Sequence, residues 1–71
     1  MIHKKVSELQ VGDLVDLEHD PFADSEKHPE FEFELQEVEA IEVETPQCTA
    51  VYFASAPCIG FPPDHIVKVG A

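Results

Sequence analysis

The sequence predicts an all-β fold: a small barrel of five or six short antiparallel strands, with one 3-10 turn before the last strand. Three observations predict it. Turn and breaker residues recur about every ten positions along the 71-residue chain. Apolar and polar residues alternate with period two in Leu14-Val-Asp-Leu-Glu18 and again in Glu30-Phe-Glu-Phe-Glu-Leu35. Val38, Ile41, Val43 and Thr45 are β-branched and favour strands. A chain of this length makes one domain, residues 1–71, and buries roughly 60% of its unfolded surface.

The elements follow in order. Val6 to Asp13 reads as a turn entering a strand, with Gly12-Asp13 as its punctuation. Leu14 to Glu18 is a half-buried strand, with Val15 and Leu17 on its inner face. His19 to Pro29 is a loop, because Asp20, Pro21, Asp24, Ser25 and Pro29 all break regular structure. Its one large apolar residue, Phe22, is placed to pin it to the core. A loop of this length in so small a domain suits a functional role.

Glu30 to Glu44 reads as a long strand. Phe31, Phe33 and Leu35 share one face, and Glu30, Glu32 and Glu34 share the other. Val38 then falls on the wrong parity. A β-bulge near Gln36-Glu37, with a second irregularity near Ala40, would keep Val38, Ile41 and Val43 inward. The rival is a helix, since Phe31, Leu35 and Val38 also suit helical spacing. Seven glutamates without an internal cation, no good N-cap and the β-branched run favour the strand.

Thr45-Pro46-Gln47 is a turn, and Cys48 to Ser55 a strand with Val51 and Phe53 inward. Ala56-Pro57-Cys58 turns the chain into a short strand at Ile59-Gly60-Phe61. Pro62 to His65 fits the 3-10 turn, because neither proline donates a hydrogen bond. Ile66 to Val69 closes the fold. The predicted core is Val6, Leu9, Val15, Leu17, Phe33, Leu35, Val38, Ile41, Val51, Phe53, Phe61 and Ile66.

Taken together, three segments resemble SH3-like barrels. Leu9-Gln-Val-Gly-Asp-Leu-Val15-Asp-Leu17 is similar to their entry strand. Val38-Glu-Ala-Ile41 resembles the bulged middle strand, and Phe61-Pro-Pro-Asp-His-Ile66 the closing segment. The likeness runs from about Val6 to Val69. It implies the architecture and no function. The aromatic platform of peptide-binding SH3 domains is missing: the chain has no Trp, a single Tyr52, and His65 at the place of the closing-turn tyrosine. The basic, Gly-rich turn of ribosomal and transcriptional SH3-like modules is missing as well.

Charge bounds the function. Net charge is −11 and the pI about 4.4. Between Glu8 and Glu44 stand fourteen carboxylates and one cation, Lys27. Thr45 to Ala71 holds one acid, Asp64, and one base, Lys68. Four lysines and no arginine predict no direct nucleic-acid binding, since such affinity comes from neutralised phosphates. Anionic membranes repel the same field. Neither a signal peptide nor a run of transmembrane length appears, so the expected location is cytoplasmic. Cys48 and Cys58 make no disulfide framework and are expected reduced. High net charge opposes association, so a monomer or a weak homo-oligomer is expected.

Catalysis is not expected. The serines sit in no recognised catalytic motif, and Cys58 with His65 is the closest Cys–His pair in sequence. A small barrel fills its interior with side chains and leaves no site to shift a carboxylate. No cofactor is implied. His19, Asp20, Asp24, Glu26 and His28 offer a mixed imidazole and carboxylate set for a divalent metal, without recognised ligand spacing.

The expected function is therefore a small acidic binding or accessory module for a protein partner with a basic surface. Its contact residues are Phe22 and Asp24 in the loop and the glutamates Glu30, Glu32, Glu34, Glu39 and Glu42, with Glu44 extending the stripe. The plain alternative is a solvated strand face that guards against edge pairing. Two other readings are a metal-binding domain on the His19–Pro29 loop and a DNA mimic whose carboxylates imitate phosphates.

Overall fold

The computed structural model describes residues 2–18, 20–23, 27, 30 and 33–70. Six strands form one antiparallel sheet: β1 (Ile2–Lys5), β2 (Leu14–Asp16), β3 (Gln36–Thr45), β4 (Cys48–Phe53), β5 (Ile59–Phe61) and β6 (Ile66–Gly70). Their spatial order is β1-β6-β2-β3-β4-β5. The all-β expectation is met. Among the described residues no ladder joins β1 to β5, so the sheet is open where a closed barrel was expected. It is nevertheless wrapped. Strands β6 and β5 would lie about 19 Å apart in a flat sheet, yet Val67, Val69, Ile59 and Phe61 share one apolar cluster with Val6.

The first turn of the chain is fixed locally. Val6–Glu8 is a 3-10 turn closed by Leu9 N–H to the Val6 carbonyl at 3.1 Å, and the Glu8 carboxylate accepts from Lys5 N–H at 2.9 Å. The turn expected at Pro62–His65 is present as one turn bonded between residues three apart, in which His65 N–H meets the Pro62 carbonyl at 3.1 Å. Its next acceptors are claimed from outside: Ser7 N–H donates to the Pro63 carbonyl and Val6 N–H to the His65 carbonyl. The two turns are thus stitched together, and this sets β1 beside β6. Gly12 takes φ +96°, and Asp13 closes the same bend by accepting from Gln10 N–H at 2.9 Å and from Lys4 Nζ at 3.1 Å.

The long strand starts later than expected. Glu30 lies in a turn, and Phe33 is buried but outside the ladder, its carbonyl accepting from Leu17 N–H at 2.7 Å. Glu34 and Leu35 then turn the chain, with Leu35 at φ 49° and 38% exposed rather than in the core. The phase slip is made there, ahead of β3, and not by a bulge at Gln36-Glu37. Leu35 rests outside against Gly70, where an added Cβ would come within 2.9 Å of its Cδ2. The helix alternative fails for Gln36–Thr45, which pairs with β2 at Gln36 and Glu37 and with β4 from Val38 to Thr45. The second irregularity is found, as a register shift between Val38 and Ala40. Val38 is fully buried and Ile41 packs against the core, whereas Val43 is 72% exposed because the hairpin runs on past the core. Phe31 and Glu32 lie outside the described residues.

The rest of the predicted core holds except at Ile66, which is 49% exposed. Ile66 pairs with Lys5 in register, so Val67 and Val69 take the inner positions of β6. Ala23, Ala50 and Ile59 are buried too, and Gln36 is buried while its Oε1 accepts from Ser55 N–H at 3.2 Å.

Three outcomes follow for stability. Val38→Ala should cost about 2 kcal/mol in denaturant unfolding, and Val43→Ala less than about 0.5 kcal/mol. Gly12→Ala should cost about 1 kcal/mol or more, because alanine resists that backbone angle. The Gln10 N–H bond, against a smaller opposing effect of burial and with further help from Lys4, holds the Asp13 carboxyl below its usual range. Its stabilisation is therefore present above the unfolded carboxylate value and lost as pH falls through the lower folded one. Asp13→Asn should melt below the parent at about pH 6, and the gap should close toward about pH 3; a constant gap would rule this out.

Candidate functional site

Two anionic regions emerge, and they lie on different parts of the sheet. The first is the β3–β4 hairpin. Glu37, Glu39, Glu42 and Glu44 are all exposed on β3. Glu39 sits in the register shift, while Glu42 stands opposite Ala50 on the outer face. None of these four carboxylates is ion-paired among the described residues. Tyr52 crosses the same face, its hydroxyl 3.5 Å from Glu42 Oε2. Negative charge, first from Cys58 and then from Glu42, holds the Tyr52 phenol above its ordinary value. The expected stripe is therefore shorter than the sequence suggests: Glu39 and Glu42 lie on the strand, and Glu30 and Glu34 lie in turns before it. Glu32 and Asp24 lie outside the described residues.

The second region joins the segment after β2 to the turn before β6. Asp20 Oδ1 accepts from Phe22 N–H at 2.9 Å, and its Oδ2 lies 2.8 Å from His65 Nε2. Both side chains are largely shielded, with 8% of the Asp20 side chain and 18% of the His65 side chain exposed. The His65 ring stacks on Phe61 at 5.5 Å and meets the edge of Phe22 at 4.7 Å. Phe22 also lies 6.0 Å from Phe61, so it pins the loop as expected, yet 44% of it stays exposed. Each oxygen of Asp20 has a partner within the chain, and the other proposed metal ligands, His19, Asp24 and His28, lie outside the described residues. No group of three or more metal-ligating side chains occurs among the described residues.

Next to this clamp is an open groove of about 190 Å³. Asp16, Glu18 and Asp20 line one side, and His65, Ile66 and Lys68 line the other. Sequence reading missed it, because its walls come from positions 45 or more residues apart, as Asp20 and His65 are. The one local signal was Asp20-Pro-Phe, whose aspartate folds back on the N–H two residues ahead.

No family model matches this chain, and neither a curated protein nor a solved structure matches it. No helix among the described residues is long and apolar enough to cross a membrane.

The clamp has a measurable consequence. Asp20→Ala leaves Phe22 N–H and His65 without their acceptor and should cost about 1–3 kcal/mol in urea unfolding. Equal stability of this variant and the parent would show that Asp20 holds nothing.

Proposed function

We propose that this protein is a small, acidic, non-catalytic binding module for a protein partner with a basic surface. The observation that carries this reading is the unpaired negative charge of β3: four exposed glutamates with no ion-pair partner among the described residues. Fixed charges left uncompensated on one surface attract an oppositely charged surface, speed encounter and set its orientation. Phe22, half exposed beside the clamp, adds an apolar anchor. The proposed contact residues are Phe22, Glu30, Glu34, Glu39 and Glu42, with Asp24 and Glu32 from the sequence pattern.

An SH3-like reading of the fold goes with this proposal. A long connection follows the short strand β2, a register shift marks the middle strand β3, and a proline-bearing turn precedes β6. The cytoplasm is the proposed location, on the sequence argument.

Binding to a basic protein should weaken at least tenfold between about 50 mM and about 500 mM salt, as screening shortens the reach of surface charge. Isothermal titration at several salt concentrations reads this directly. Salt-independent affinity would defeat the electrostatic reading.

A further inference from the structure

We infer that the groove between Asp16–Asp20 and β6 receives an extended, lysine- or arginine-bearing segment of the partner. This rests on the reading of the protein as a module for basic partners, and it names the place and the form of the ligand.

Strand β6 pairs with β1 on one side and β2 on the other. Val6 N–H donates to the His65 carbonyl, so alternate residues Val67 and Val69 also turn their amide groups toward β1. Ile66, Lys68 and Gly70 then turn theirs toward β2. Lys68 meets Asp16 and Gly70 meets Leu14. The next pair would join Ile66 to Glu18, but β2 ends at Asp16, and Glu18 N–H bonds Asp16 Oδ1 at 3.0 Å instead. Among the described residues, the backbone of Ile66 therefore has no strand beside it on the groove side. A short exposed stretch of strand edge is where an extended peptide adds its own hydrogen bonds.

Three carboxylates and one lysine line the groove. Glu18 has no ion-pair partner among the described residues. The groove is open to solvent and offers about 190 Å³ of space. Ile66 and the adjoining Phe22 are half exposed and offer apolar surface. A lysine or arginine side chain matches this combination, since its methylene stem lies on apolar surface while its charged head reaches the acids. An acidic or purely apolar segment would meet like charge or bury unpaired carboxylates.

The test uses the full chain and a fluorescent oligolysine peptide at low salt. Glu18→Gln is the groove variant, because the Glu18 side chain is exposed and makes no hydrogen bond or ion pair among the described residues; Glu44→Gln removes the same charge from β3 and is the comparison. Glu18→Gln should weaken binding about fivefold or more, and at least about twice as much as Glu44→Gln. The Ile66 amide should be among those that move most in a nitrogen–proton NMR titration. Binding that persists with the two variants equally affected, or with the Ile66 amide unmoved, overturns the groove and leaves the general electrostatic reading intact. No binding by the parent protein at low salt overturns that reading itself.

Discussion

The structure depends on β6 being held from both sides. Its inner residues Val67 and Val69 fill the core, its β1 side carries the start of the chain, and its β2 side carries the first internal strand. That arrangement is secured by two backbone hydrogen bonds between the turn before β6 and the 3-10 turn after β1. Strand β6 gives its valines to the core, while β1, exposed or half-buried along its length, covers the outer edge of β6. The stitching of the two turns holds it there. It also wraps the sheet, bringing Phe61 of the edge strand β5 into the cluster that holds Val6.

Wrapping and charge are linked. Inner positions take valine, leucine and phenylalanine, and nearly every carboxylate is left outside. Among the described residues Asp13, Asp16 and Asp20 are half-buried, and Asp20 is spent on structure, joining the loop to the turn before β6 through His65. Asp13 likewise closes a bend and pairs with Lys4. The glutamates of β3 and Glu18 do neither. The acids that fold the chain sit close to backbone donors and are mostly aspartates, with Glu8 of the first turn beside them, while the unpaired acids of β3 are glutamates. This division separates the carboxylates that explain the fold from those available to a partner.

The groove results from the same division. Where Asp16 turns its carboxylate to the N–H of Glu18, β2 stops matching β6 and the chain leaves the sheet. An aspartate that captures a nearby amide competes with the ladder for that donor. The gap so opened is bounded by the Asp20–His65 clamp, which joins its two walls, with Phe22 packed against His65 beside it.

The sequence by itself determined the fold class, the two hairpin turns around β4, the register shift in β3 and most of the core, because these follow from local alternation, turn chemistry and burial of apolar groups. It also determined the sign of the surface field. It misplaced Leu35, Val43 and Ile66, and set the start of the long strand before Phe33. Alternation at Glu30–Leu35 says that neighbouring side chains diverge, but a turn in which Leu35 adopts a left-handed angle satisfies the same pattern. The parity of β6 was open because both Ile66-Lys68 and Val67-Val69 are credible inner pairs, and only pairing with β1 and β2 chose the valines. The groove and its clamp were decided by tertiary structure alone. Asp20 and His65 are 45 positions apart, and no local propensity carries a signal across that distance; it takes the wrapped sheet to bring the two side chains within a hydrogen bond of each other.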